Sequence, residues 1–286
     1  MNRVLKASIL FIILAFVLLG IPPYEPYVRN LTFEVIPDEK GDPGGGLKLA
    51  WEPPWDGPYH GSGCWGRYGD PEDWLYVIVV DGEEIDTTEA LEYYLYTPGG
   101  GISVHSFDGE YVYEESWSGR LDLEAMYFDE TWVWELNGPE ESGIFFDTSR
   151  GWWKTYPMDT TYRDSIDCYF TDFAQGSEGP FYLTSPSELG NDAGNTWLPA
   201  DGWRTTGISG DLSGDIDSIT VVPYDGYEGV SADSAVAGAT YAVRTQEGYY
   251  GLIQIIRMGG EGWEEIVIEG RFQPIQGLRW VALGGW

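Results

Sequence analysis

Beyond Pro23 the chain is written in short runs that alternate apolar and polar residues, and each run stops at a turn signal. "NLTFEVIP" sets Leu31, Phe33 and Val35 on one side of an extended segment. "GGGLKLAWEPP" does the same with Leu47, Leu49 and Trp51. Successive side chains of a strand point to opposite faces, so a period of two builds strands with one buried face. "WLYVIVVDGEEIDTT" runs into Asp81-Gly82, and a second Asp-Gly pair stands at Asp108-Gly109. Such dipeptides accept the positive φ angles of a tight hairpin. No helical period runs through residues 27–118, and 39 Gly with 17 Pro supply the turns. The expectation is an all-β protein, with an antiparallel sandwich first and a second antiparallel β-domain after it.

The 286 residues suffice for one large domain or two ordinary ones. Aromatic residues make up 16% of the chain, which is ample material for apolar cores and argues against disorder. Charge excludes a class of partner. Forty-seven acids face 15 Lys and Arg, a net −32, so a phosphate backbone is repelled and no nucleic-acid partner is expected. The acid excess fits solubility or a salty or hot medium, and it also fits oxygen-ligand binding of a hard divalent cation.

"MNRVLK" is basic, "ASILFIILAFVLLGI" carries no charge, and Pro22 and Pro23 end any helix. Residues 1–22 thus read as a secretory signal peptide. A small-x-small cleavage site and a lipobox Cys are missing, so an uncleaved membrane anchor stands beside that reading. Either way the remainder is expected outside the cytoplasmic membrane, secreted or at the cell surface, with membrane contact only through this segment. Cys64 and Cys168 are an even pair in an exported chain, so one disulfide is a candidate and two buried free thiols the alternative.

Residues 27 to about 118 resemble a fibronectin type III domain. Trp51 on the second strand, "LYVIVVDGEEI" and the closing "SVHSFDGEYVYEES" carry the resemblance. The loop "PPWDGPYHGSGCWGRYGDPEDW" is longer than that family's usual connection, and it holds Trp55, Tyr59, His60, Trp65, Tyr68 and Trp74. From Leu121 the register changes, and "LDLEAMYFDETWVWELN" reads as a strand pair or a short helix. "FFDTSRG" and, much later, "GATYAVRTQEGYYGLIQI" are similar to the HmuY-like family, loosely over residues 121–286. That resemblance implies an all-β extracellular domain, in a family whose founding members capture haem through paired side-chain ligands. The chain departs from it in two ways. Its two histidines, His60 and His105, lie in the first domain, and Gly251 stands where the motif often has Lys. Met158 and Met258 are the remaining soft ligands, and Met in an apolar strand reads as packing. In the second motif Tyr241, Val243 and Thr245 share a face, Gln246 to Gly248 turn, and Leu252 to Met258 is nearly all apolar. The stretch is expected to be a central core hairpin.

Two patterns suggest binding. In "GDLSGDID", Asp211, Asp215 and Asp217 could wrap one Ca²⁺, and "GNDAGNTW" offers Asn191, Asp192 and Asn195. Asx-rich surface turns are the alternative for both. Aromatics beside turns form the second pattern: Trp65, Tyr68, Trp74, Trp152, Trp153, Tyr156, Trp197 and Trp203. Of these Trp152, Trp153 and Trp203 are the candidate ligand-binding residues for a glycan or a protein surface, against core packing at strand ends. In an extended segment one of Trp152 and Trp153 must point outwards. No Gly-x-Ser-x-Gly, His-Glu-x-x-His or phosphate loop is present, and no catalytic residue is singled out. The expected function is that of a non-catalytic surface protein in adhesion or structural assembly through self-association, stabilised by calcium. A glycan-binding module, with haem behind it, is the alternative.

Overall fold

The computed structural model describes residues 27–36, 45–54, 74–114, 119–147, 152–174, 179–259 and 265–283. The expected signal segment at 1–22 and Trp55, Tyr59, His60, Cys64, Trp65 and Tyr68 lie outside them. The chain is all-β, as the alternation implies, and divides into two compact units. The first draws on 1–34, 48–95 and 102–121, and the second on 35–47, 96–101 and 122–286.

Mostly within the first unit, β1 (Arg29–Ile36), β2 (Gly46–Glu52) and β5 (Glu92–Leu95) form one sheet in the order β1-β2-β5. A second sheet takes β3 (Leu75–Val80), β4 (Glu83–Thr88), β6 (Gly101–Phe107) and β7 (Val112–Tyr113) in the order β4-β3-β6-β7, with β8 (Arg120–Asp122) also paired to β6. The β3–β4 hairpin turns at Asp81 and Gly82, both at positive φ (49° and 81°), as the Asp-Gly pair dictates. Leu49, Trp51, Tyr76, Ile78, Val80, Ile102 and Val104 alternate into the core. Trp51 meets Tyr76 edge-on with ring centroids 5.4 Å apart. Trp74, expected beside a turn as an exposed ring, is buried here.

The second unit has two sheets. Five strands, β9 (Met126–Trp134), β14 (Gly207–Asp211), β15 (Thr240–Arg244), β16 (Tyr250–Gly259) and β17 (Glu265–Gln273), run antiparallel in the order β14-β15-β16-β17-β9. The other sheet is β11-β10-β12-β13, from β10 (Gly143–Asp147), β11 (Trp152–Tyr156), β12 (Cys168–Thr171) and β13 (Tyr182–Thr184). The ambiguous segment after Leu121 is therefore strand. The two sheets share one core. Val243, Ile253, Ile255, Ile266, Ile268 and Phe272 enter it from the first, and Ile144, Phe146, Phe170 and Leu183 from the second. Each such aliphatic or aromatic side chain stabilises the fold by about 1.5–3 kcal/mol relative to exposure.

The β15–β16 hairpin occupies the middle of the five-stranded sheet, as its apolar run requires. Its turn closes through Thr245 N–H to Tyr249 O (2.9 Å), with Gly248 at φ 86°. β16 is covered on both faces. Ile253 and Ile255 face the shared core, and Leu252 faces an outer cluster with Ala242, Tyr250, Ile216, Val222 and Val281. Gly251 has a steric cause. A Cβ there would lie 2.7 Å from Arg271 O, 3.0 Å from the Phe272 ring and 3.3 Å from Val243. No larger side chain fits there. Gly251→Ala is expected to destabilise the unit by about 1–3 kcal/mol through overpacking against backbone, read as an earlier denaturation midpoint. An unchanged midpoint would mean the strands have room to part.

Candidate binding face

The outer face of the five-stranded sheet is divided in two. Over β15 and β16 it carries the apolar cluster of Ile216, Val222, Ala242, Leu252 and Val281. Towards the β9 edge it carries a different set. In one row across the strands, Tyr127 stands opposite Arg271, which stands opposite Leu252. In another, Trp132 stands opposite Val267, and Val267 opposite Arg257. Tyr127 and Trp132 are 46% and 47% exposed.

These two rings share a face only because the ladder is irregular. They are five residues apart, an odd spacing that a regular strand sends to opposite faces. The register shifts between Ile268 and Gly270, which pair with Thr131 and Phe128 respectively. This bulge sets Phe128 and Val133 inwards and Tyr127 and Trp132 outwards. A second shift, between Ile255 and Arg257, sets Arg257 beside Val267. Its guanidinium lies over the Trp132 ring, 4.4 Å from the centroid.

Hydrogen bonds fix the polar members. Tyr127 OH donates to Glu269 Oε2 at 2.9 Å, and this bond, with burial and the carboxylate charge behind it, pushes the phenol pKa up to about 12. Gln254, opposite Glu269, donates its amide to Thr240 Oγ1 at 3.1 Å. Arg271, itself buried, pairs with Asp217 at the rim. The face therefore presents two flat rings, a guanidinium, a carboxylate and an amide, held by partners rather than free to rotate.

The residues singled out from sequence are placed as follows. Trp152 is 43% exposed, with its indole N–H on Asp147 Oδ2 (3.2 Å) and the Lys154 ammonium over its ring. Trp153 points inwards and stacks on Phe128 at 5.2 Å, as alternation demands. Trp203 is 7% exposed and donates its indole N–H to Pro199 O at 2.8 Å. It packs with Leu136, Met158, Ile166, Tyr169 and Leu189 on the outer side of the four-stranded sheet, so it is a core residue and offers no ring to a ligand. Met158 packs there and Met258 against the shared core, which is the packing role expected of both. Trp197 is exposed, and Tyr156 stacks on Tyr162.

No family model matches the chain, and no curated protein matches it. Among solved structures it is similar to a DUF4466 family protein from Parabacteroides merdae, known from a crystal structure. The two are 12% identical, with 86% of this chain and 99% of that one covered and a TM-score of 0.42.

The three aspartates of the acidic turn have separate duties. Asp211 Oδ1 accepts from Ser213 N–H (2.9 Å) and Thr240 N–H (3.1 Å). Asp215 caps the 3₁₀ turn Ile216–Ser218 by accepting from Asp217 N–H at 2.9 Å, and Asp217 pairs with Arg271. Among the described residues no three His, Cys, Asp or Glu side chains are arranged to hold a metal ion. In the other oxygen-rich run Asn195 braces its own turn through Leu198 N–H, Leu198 O and Leu189 O. Asp211, Asp215 and Asn195 thus each hold a local Asx-type turn. Cys168 is a free thiol sealed in the shared core, where burial pushes its pKa up; its expected partner Cys64 lies outside the described residues.

Proposed function

We propose that the protein is an exported, non-catalytic adhesion protein that holds a neutral glycan on the open half of its five-stranded sheet. The observation that carries this reading is the pair of half-exposed rings, Tyr127 and Trp132, brought onto one face by a bulge and flanked by Gln254, Arg257 and Glu269. Flat rings offer apolar area to the C–H faces of a sugar, and fixed polar groups meet its hydroxyls. The net charge of −32 disfavours an anionic polymer. The basic-then-apolar start at 1–22 supports export.

Two features favour adhesion over edge-to-edge assembly and over catalysis. The exposed edge strand β9 carries Asp129 and Glu130 at its bulge, and charged, bulged edges resist strand addition. Ser103 Oγ and His105 Nε2 lie 2.9 Å apart on β6, a spacing that suits a nucleophile and its base. Ser103 is, however, buried.

Titration with a soluble neutral polysaccharide, followed by tryptophan fluorescence and calorimetry, tests the proposal. Trp132→Ala is expected to weaken binding by about 2 kcal/mol, roughly thirtyfold, as removal of a central aromatic anchor does. Trp152→Ala should leave affinity unchanged. Equal affinity in the Trp132→Ala variant would remove this face from the account.

A further inference from the structure

Glu135, just beyond β9, is completely enclosed. Its Oε2 accepts from Asn137 N–H at 2.8 Å and its Oε1 from the Asn137 amide at 3.2 Å. Its carbonyl accepts from Ser142 Oγ, and it bridges to Phe170 of β12. Two other segments converge on the same point. Beyond β12, buried Asp172 accepts from Ala174 N–H (2.9 Å), and Ala174 O accepts from the Asn137 amide (3.1 Å). After the 3₁₀ turn Pro186–Gly190, buried Asp192 accepts both Tyr169 OH and Thr171 Oγ1 on one oxygen (2.9 Å each) and Gly194 N–H on the other (2.8 Å). The contact has no slack. A Cβ on Gly194 would lie 2.3 Å from Ala174 O and 3.0 Å from the Asn137 amide.

The titratable groups on these packed segments are Asp172, Asp192, Glu188 and Tyr169, none of them a base. The donors that reach the Glu135 carboxyl are both from Asn137, its backbone N–H and its side-chain amide, and the Asp172 and Asp192 carboxyls oppose its ionisation. We propose that the junction of residues 135–138, 171–174 and 190–195 is a proton-operated latch. It is closed when Glu135 is protonated and loosened when Glu135 ionises. The inference is independent of the binding face.

Burial is the main cause that pushes the Glu135 pKa up to about 7, with Asp172 and Asp192 adding to it and the Asn137 bonds opposing. The folded state thus keeps a proton that the unfolded chain releases near the ordinary glutamate value. Its contribution is complete in acid and is lost as pH rises through about 7.

Amide hydrogen exchange in residues 190–195, corrected for intrinsic base catalysis, tests the latch at about pH 6 and about pH 8. The wild type is expected to lose protection there by about tenfold on the alkaline side, since a pH unit beyond the titration is a factor of ten. Glu135→Gln should keep its protection across the range. The same loss in both proteins would overturn the proposal. A second readout needs no variant. The Glu135 side-chain carboxyl ¹³C resonance should titrate near neutrality, and a midpoint in the ordinary carboxylate range would also overturn it.

Discussion

Arg204→Ala is expected to cost the second unit about 3–5 kcal/mol at neutral pH, the scale of a buried ion pair that loses one partner. Arg204 Nε and Nη2 donate to Asp167 Oδ1 at 3.0 and 2.7 Å, and the other edge of the guanidinium grips both oxygens of Glu247 at 2.7 and 2.5 Å. Asp167 has no exposure at all, and its Oδ2 accepts Phe146 N–H at 2.9 Å, so its charge sits against the core strand β10. Remove the guanidinium and that carboxylate stays behind without a counter-charge. The two partners respond in opposite senses. Burial raises the Asp167 pKa to about 6 against the pull of Arg204, whereas Arg204 holds its proton more firmly than usual because two carboxylates outweigh its own burial. The Asp167 direction is the decisive one, since Asp167 alone is wholly desolvated and Glu247 shares the cation from a half-exposed position.

The pH dependence has a definite sign. A carboxyl with a raised folded pKa stabilises below its unfolded pKa, and that stability is lost as pH rises through about 6. The Arg204→Ala deficit should therefore be largest at about pH 7.5 and shrink at about pH 5, where Asp167 is neutral and needs no cation. Urea denaturation at the two pH values measures this. A deficit independent of pH would assign the loss to packing rather than to the orphaned charge.

Phe272→Ala is the other large effect, at about 3–5 kcal/mol for a fully enclosed aromatic ring. The Phe272 ring stacks on Phe146 of the facing sheet with centroids 4.7 Å apart and planes within 10°, and Tyr249 lies 6.0 Å away. It is one of the contacts that pin the two sheets to each other, and β16 and β17 cannot collapse into the space because each is held by ladders on both sides. The cavity therefore persists, which sets the cost at the upper part of the range. A matched control is Trp197→Ala, a large but exposed ring, expected within about 0.5 kcal/mol of wild type. Thermal unfolding of the pair gives the comparison, and similar losses would mean that Phe272 is not a core element.

Where the sequence could be read, one period governed the outcome. The β15–β16 hairpin, the Asp81-Gly82 turn and the opposite directions of Trp152 and Trp153 all follow from alternation and turn chemistry. The candidate binding face does not, because it depends on a break in that period. Tyr127 and Trp132 share a face only once the pairing of β9 with β17 has slipped, and the slip is a property of two strands 130 or more residues apart. Trp203 shows the same limit from the other side. Its neighbours Asp201 and Gly202 do sit in a turn, yet the turn folds back over the four-stranded sheet and buries the ring. The acidic runs were legible as oxygen-rich turns. Whether carboxylates converge on an ion or cap their own backbones depends on distant donors such as Thr240 N–H and Arg271, which spacing does not reveal. Arg204 carried no motif, and its weight comes from three acidic or carbonyl partners scattered from Asp164 to Glu247.

The central claim is that the open half-face of β9, β16 and β17 is the surface that meets a ligand. Its most direct test is a two-dimensional NMR map of the indole and backbone N–H signals during titration with a soluble neutral polysaccharide. The Trp132 indole and the amides around Tyr127, Gln254 and Glu269 should shift together, while those of buried Trp203 and Trp280 stay in place. Shifts confined to Trp152, to Trp197 or to the first unit would contradict the account.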